Sequence, residues 1–583
     1  MSNMTDDAFA SLEQLTADTD LDEATRAAFA DVLAAIRIHG RELLGYPGVV
    51  SVRPGYRFRG TRITSQPAVR VAVLTKRDLG GLPERDLLPR RLGNVVVDVV
   101  PATLTEQLEY LGRAQSAAAV TAAGGDGGRI YTTFVGADEA PPESAFDTGL
   151  DPYEPPADTP LSPVTDTMTV ICHASPDAGW KNLKKFLLGT QQRLTATMYE
   201  FNATHIRDTL LAALGSEKRM RLILDAGKPD EVPGHSDISK NEARRSLQDA
   251  LDERFTSVWA AVADDHKTTK AFFKNAYHIK VTVRDGESFW LSSGNWKRSN
   301  QPTTDPFNPP PGFNKKSFLN SANREWNVIV ESPSLAGLLE TYIDNDIDQA
   351  IPLQVEDALA AGSAAAPAGP DLFVPQALID SFHGSGPVQF FREQSFTKEL
   401  TVQPLLTPDN YRDYMQGLIE SASSRIWFQN QSLNVDTSNA GYMKLFRTLR
   451  DKSRDPNIDV RIIVRGDFNP DAILTRLSNY QFDMTRVRLQ NGNHNKGIII
   501  DDETVVIGSH NWTGAGTTFN RDASLVFRDA DIAGYYGQLF SFDWDRLENT
   551  GDAMMEAMPR IAQPDEPTPP GMVRFGWSEL FPE

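Results

Sequence analysis

A chain of 583 residues is longer than one hydrophobic core serves, so several domains are expected. Apolar content of 40% and charged content of 23% exclude a wholly disordered or fibrous chain, and no run approaches the ~20 apolar residues that cross a bilayer. The net charge of −20 argues against a uniformly basic nucleic-acid binder. Its location weakens that exclusion: residues 116–165 carry eight acids and one base, and residues 551–583 six acids and two bases, so −11 of the charge lies in two segments that read as linker and tail. The opening residues, Met1 to Asp7, have no basic stretch followed by an apolar one, so no signal peptide is expected. The single cysteine, Cys172, excludes an intramolecular disulfide, reads as a small core residue and fits a reducing compartment; a cytoplasmic location is expected.

Residues 1–115 begin with apolar positions at helical spacing (Leu12, Leu15, Leu21, Ala28, Phe29, Leu33, Ile36). The β-branched runs Gly48–Val52, Ala68–Val73 and Val95–Val100 follow. They predict a small α+β accessory domain without a catalytic constellation. Residues 116–165 are Ala/Gly-rich and then Pro/acid-rich, the composition of a flexible acidic linker. Two longer regions, 166–355 and 374–550, are separated by an Ala/Gly/Pro linker over 356–373, and a tail closes the chain over 551–583. Each long region alternates strands and helices: strand 194–201, helix 204–215 and strand 221–225 in the first; strand 425–430, helix 440–452 and strand 460–464 in the second. That alternation predicts two α/β lobes from an internal duplication.

The chemistry-bearing residues repeat with the lobes. His278, Lys280, Asp285, Ser293 and Asn295 recur as His494, Lys496, Asp501, Ser509 and Asn511, each at one offset (494−278 = 216 and 511−295 = 216). A farther pair, Asn323-Arg324-Glu325 and Asn520-Arg521-Asp522, leads into an apolar strand in each lobe. Glu325 stands 30 residues after Asn295 and Asp522 only 11 after Asn511, because a Pro-rich insertion, Gln301 to Phe318, intervenes in the first lobe. His and Lys at i and i+2 on a strand share a face and can reach one ligand. A phosphodiester under attack needs a nucleophile, a proton donor and cationic or amide donors for its oxygens; two His, two Lys and two Asn supply that set with no metal, and one lobe supplies half. A metal site from His494, Asp501, Asp502 and His510 is the competing reading, disfavoured because Lys496 among the ligands repels a cation. Trp296 and Trp512 fit either a channel wall or packing behind the asparagines, while His173, His205, His235, His266 and His383 read as structural or solvated.

These residues resemble the His-x-Lys-x4-Asp-x6-Gly-Ser-x-Asn motif of the phospholipase D superfamily, in full in the second copy and with Ser292 in place of Gly in the first, where a slightly altered turn is expected. The resemblance covers about 166–550. It implies two pseudo-two-fold-related α/β sandwich lobes around one site, a phosphohistidine intermediate, and no cofactor or metal. It further implies His278 as nucleophile and His494 as general acid, then base. By the same resemblance Lys280, Lys496, Asn295 and Asn511 hold phosphate, Glu325 and Asp522 orient the histidines, Asp285 and Asp501 organise the site, and Ser293 and Ser509 add donors. A monomer suffices, since both motifs lie in one chain. The expected substrate is a phospholipid head group. A metal-independent nuclease is the alternative, which Asn511-Trp512-Thr513 resembles; a non-catalytic phosphate-binding module is the third reading, disfavoured because all four His and Lys are present.

Overall fold

The structure is a computed structural model describing residues 23–59, 62–74, 87–102, 107, 110, 150–225, 237–263, 267–355, 371–375, 384, 386–466, 470–547, 560–562 and 566–575. Near the N-terminus, helix α1 (Glu23–Leu44) packs on a four-stranded sheet of β1 (Val49–Arg59), β2 (Arg62–Val73), β3 (Arg91–Leu92) and β4 (Val95–Pro101), in the order β1-β2-β4-β3. Val32, Ile36 and Leu43 on the helix meet Val49, Val69, Val71 and Val97 on the strands, as the alternating valines predict. Leu12, Leu15 and Leu21 lie outside the described residues.

The two lobes run through the same twelve elements. Lobe 1 is β5 (Val164–Ser175), α2 (Gly179–Leu188), β6 (Arg193–Met198), α3 (Thr204–Leu214), β7 (Arg219–Leu224), α4 (Lys240–Leu251), β8 (Phe255–Trp259), β9 (Val281–Arg284), β10 (Ser288–Ser292), α5 (Lys315–Ser321), β11 (Glu325–Glu331) and α6 (Pro333–Ala350). After β12 (Leu372–Pro375), lobe 2 is β13 (Gln394–Leu406), α7 (Tyr411–Ser421), β14 (Arg425–Asn430), α8 (Ala440–Arg454), β15 (Asp459–Arg465), α9 (Pro470–Asn479), β16 (Val487–Gln490), β17 (Lys496–Ile500), β18 (Thr504–Gly508), α10 (Gly514–Thr518), β19 (Ala523–Arg528) and α11 (Ala530–Arg546).

Their strands form one sheet of 14, ordered β16-β15-β14-β17-β18-β19-β13-β5-β11-β10-β9-β6-β7-β8, which reads the same from either end. The junction is the antiparallel pair β13–β5, in register from Gln394↔Cys172 to Val402↔Val164. The lobes therefore share a continuous sheet, and one core cluster runs across the junction, with Val170 and Tyr342 of lobe 1 alongside Val402, Tyr536 and Phe540 of lobe 2. Outer helices cover the opposite face of each half, over separate clusters. Strands buried on both faces read as near-continuous apolar runs, as Gly497–Ile500 does, and in Val281–Val283 the intervening Thr282 is itself fully buried. Gly497 is dictated by the lobe interface: a Cβ there would lie 2.1 Å from the Trp326 ring.

Three segments depart from the sequence reading. Residues 150–162, expected in the acidic linker, lie on the lobes: the Tyr153 hydroxyl is 2.7 Å from Asp346 and accepts from Arg521 at 2.7 Å. Leu372–Pro375, at the expected second linker, pairs with β20 (Arg560–Ile561) and β21 (Met572–Phe575) of the expected tail in a three-stranded sheet. Such pairing between strands far apart in sequence leaves no trace in local composition. The rest of both expected linkers, 116–149 and 356–370, is outside the described residues.

Candidate active site

Each motif His precedes its strand instead of lying in it. β9 starts at Val281 and β17 at Lys496, and the approach to each is held by a single bridge to the other lobe, Tyr277↔Arg521 and Arg324↔Asn493. The His278 amide donates to the Arg521 carbonyl at 2.7 Å and the His494 amide to the Arg324 carbonyl at 3.2 Å. Each lysine nevertheless stays beside its own histidine: Lys280 and Lys496 each donate from Nζ to that histidine's carbonyl at 2.6 Å. Beyond the strands, Asp285 and Asp501 turn the hairpin at φ of 60° and 53°. Their carboxylates accept from the amides of Gln191, Gln192 and Arg193, and of Ser423, Ser424 and Arg425, tying each motif to the start of a neighbouring strand. Ser292 produces no shift of strand end: β10 stops at Ser292 and β18 at Gly508, 216 residues apart, and the Ser292 hydroxyl is absorbed by Asn327 and the Gly294 amide.

His278 and His494 open onto one cavity of about 280 Å3, together with Asn295 and Asn511. Their orienting carboxylates come from the opposite lobe. His278 Nδ1 lies 2.8 Å from Asp522 Oδ1 and 3.1 Å from the Ser509 carbonyl. Both neighbours are acceptors, so the proton sits on Nδ1 and Nε2 carries the free lone pair. His494 Nδ1 lies 2.9 Å from Glu325 Oε1, but Lys496 Nζ is 3.0 Å from the same nitrogen. The motif serines serve the acids, not the cavity: Ser293 donates to Glu325 at 2.5 Å and Ser509 to Asp522 at 2.6 Å.

Burial of so many ionisable groups sets their proton affinities. Burial, reinforced by Lys280, lowers His278 to about 4 against the pull of Asp522. Burial lowers Lys280 to about 7, lowers Lys496 strongly, and with Lys496 and Lys280 lowers His494 well below the imidazole range. For Asp522 burial pushes upward, but the charge and hydrogen bond of His278 outweigh it and hold the carboxyl below its usual value. Glu325 goes the other way, raised by burial to about 7 despite Lys496. The two halves are thus matched in geometry and unlike in protonation. Among the described residues, no group of three or more His, Cys, Asp or Glu side chains is placed to hold a metal ion.

A family model, described as the cardiolipin synthase, phospholipase D-like domain, matches residues 183–347 and 415–544, more than half of the chain and both lobes. The chain belongs to the phospholipase D-like family. Solved structures similar to it include a phosphatidylserine synthase from Haemophilus influenzae Rd KW20, at 10% identity and a TM-score of 0.44 over 66% of this chain and 87% of that one. NucT from Helicobacter pylori is similar at 10% identity and a TM-score of 0.23 over 31% and 96%. Nuc, a phospholipase D family member from Salmonella typhimurium, is similar at 21% identity and a TM-score of 0.21 over 26% and 98%. No protein with a curated description matches. Members of the family act on phosphodiesters, and among the described residues no helix is long and apolar enough to cross a membrane.

Several residues at this family site have no expected role in the sequence reading. Glu200 accepts from Asn295 Nδ2 at 2.5 Å and from Lys297 at 3.0 Å. Asn295 thereby turns its amide nitrogen to Glu200, and its Oδ1 has no hydrogen-bond partner among the described residues. Gln431 accepts from Lys496 at 2.8 Å, and Asn300 reaches Glu325. Asn323 and Asn520 line the cavity, and their place at the head of the repeated Asn-Arg-acid triplets was a usable signal. Arg324 and Arg521 are locks between the lobes. Arg324 is paired with Asp177 of its own lobe and Asp543 on α11; Arg521 with Asp409 of its own lobe and Asp346 on α6. Trp296 and Trp512 are fully buried behind the asparagines, and His173 is buried and absent from the cavity lining. Burial pushes the Cys172 thiol up to about 12, as a core residue. His235, His266 and His383 lie outside the described residues.

Proposed function

We propose that the chain is a phospholipase D-type phosphodiester hydrolase that works on phospholipid head groups through a phosphohistidine. The observation that carries this is the crossed pairing of His278 with Asp522 and His494 with Glu325 around one cavity. Neutral His278, its Nδ1–H committed to Asp522, attacks phosphorus through Nε2 as the bond to the leaving oxygen breaks. His494 gives that oxygen its proton, and the head group leaves as the alcohol. His494 then takes a proton from water, hydroxide attacks phosphorus, and the P–N bond to His278 breaks. Lys280, Lys496 and Asn511 stabilise the charge on the non-bridging oxygens. An incoming phosphate anion favours the protonated forms of Lys280, Lys496 and His494 that burial alone disfavours. The same second step with an alcohol in place of water transfers the phosphoryl group.

The test is head-group release from phosphatidylcholine by the full chain with excess chelator present, beside single-stranded DNA as competing substrate. Release from lipid that chelator leaves intact supports the reading. DNA cleavage without lipid hydrolysis replaces the substrate class, and activity that returns only with divalent metal overturns the roles given to the lysines.

A further inference from the structure

The insertion in lobe 1 has no part in the chemistry above, yet it leaves and re-enters at the cavity. Asn300 and Asn323 both line it, and the Asn323 amide closes the loop onto the Ser299 carbonyl at 2.8 Å. Lobe 2 crosses the same interval with the short α10 alone. Between those two asparagines stand Phe307, Phe313 and Phe318, which meet Phe390 from the entry to lobe 2 at centroid distances of 5.9–6.5 Å, with Phe313 and Phe318 5.2 Å apart. All four rings are only half-buried. The tip, Pro309-Pro310-Pro311-Gly312, is exposed and turns at Gly312 with φ +79°; Asn314 then caps α5, whose first residues, Lys315 and Lys316, are exposed. Exposed Arg392 lies over the Phe307 ring at 4.2 Å. Residues 301–322 carry Lys315 and Lys316 against Asp305, a charge of 2−1 = +1 in a chain of −20.

We infer that residues 301–322, with Phe390 and Arg392, form an interfacial anchor that docks on an anionic phospholipid surface and holds the cavity mouth against it. The rings pack at 45–76° to one another, so they build a wedge and do not offer the parallel open faces on which bases stack. An apolar aromatic wedge flanked by lysine and arginine matches the boundary between acyl chains and phosphate head groups, where rings bury carbon and cations meet anionic lipid. This deepens the proposed lipid substrate class, while the docking itself does not depend on turnover.

The test is flotation of the full chain with phosphatidylcholine vesicles, with and without phosphatidylglycerol, alongside turnover of soluble bis(p-nitrophenyl) phosphate. The native chain is expected to float, more so with phosphatidylglycerol. Phe313→Ser with Phe318→Ser should reduce partitioning at least about tenfold on both vesicles. Lys315→Glu with Lys316→Glu, on two exposed positions, should remove the phosphatidylglycerol increment, about thirtyfold. Both variants should keep native turnover of the soluble ester. A native chain that does not float, variants that float like it, or variants that lose binding to oligothymidylate, measured in parallel, while flotation is unchanged would each overturn the anchor. Flotation as expected with no turnover by any form supports the anchor and removes the catalytic reading instead.

Discussion

Arg521 is the perturbation with the largest expected effect on stability. Its guanidinium is fully buried and holds Asp346 through two bonds of 2.8 and 3.0 Å, Asp409 at 2.6 Å and the Thr407 carbonyl at 3.1 Å. Asp346, on α6 of lobe 1, is itself 4% exposed, so Arg521→Met leaves a buried carboxylate with only the hydroxyls of Tyr153 and Tyr277. Stranding one partner of a buried pair costs about 3–5 kcal/mol, whereas an exposed pair such as Lys444–Glu420, 69% and 53% exposed, contributes about 0–1 kcal/mol. Urea unfolding followed by tryptophan fluorescence should therefore place Arg521→Met far below Lys444→Met. Adding Asp346→Asn to Arg521→Met removes the stranded charge, so the double variant should recover part of the loss, with a coupling of about 2 kcal/mol or more. Arg521→Met no less stable than Lys444→Met, or strict additivity with Asp346→Asn, would refute the lock. Arg324→Met should behave alike through Asp177 and Asp543.

The pH dependence follows from the buried cations. With bis(p-nitrophenyl) phosphate, whose leaving group needs little protonation, kcat/KM should rise as pH passes up through about 4, where His278 loses its proton and becomes nucleophilic. It should fall as pH rises through about 7, where Lys280 loses its charge; a rate flat to pH 10 would contradict this. Asp522→Asn frees the His278 tautomer and should lower kcat roughly 10–100-fold. Glu325→Gln acts on the acid–base histidine, so its loss on bis(p-nitrophenyl) phosphate should be smaller than on an alkyl phosphodiester; equal losses on both would remove the division of labour.

What was legible in the sequence is what is local along the chain. The run from His278 to Asn295 is one strand–turn–strand unit, so its spacing is fixed by a hairpin and repeats without a gap at His494 to Asn511. The alternation of strand and helix was legible for the same reason, and the elements from Arg193 to Leu224 and Asp459 to Arg465 lie within a few residues of their expected bounds. The crossing of the acids was not, because nothing local tells Glu325 that its histidine is 169 residues ahead (494−325 = 169) in the other lobe. Asp177 and Asp409 left a faint signal, as Pro176-Asp177 and Pro408-Asp409 repeat at 408−176 = 232, but their arginine partners are joined to them only by the tertiary fold. Glu200 left none: its counterpart by strand register is Ser432, so duplication, which exposed the repeated motif residues, hid the asymmetric one. The motif histidines were placed one step too far into their strands, since a strand begins where a neighbour's backbone becomes available.

The central claim is one covalent site shared by two lobes, with His278 as nucleophile. The most direct measurement is mass spectrometry of the His494→Asn variant after brief exposure to bis(p-nitrophenyl) phosphate, digested under conditions that avoid acid. Without its base the second step stalls, so a p-nitrophenyl phosphoryl group joined through a P–N bond should accumulate on the peptide that carries His278, and be absent from His278→Asn. Phosphorus on another residue, or a His494→Asn variant that turns over at the native rate with no adduct, would contradict it.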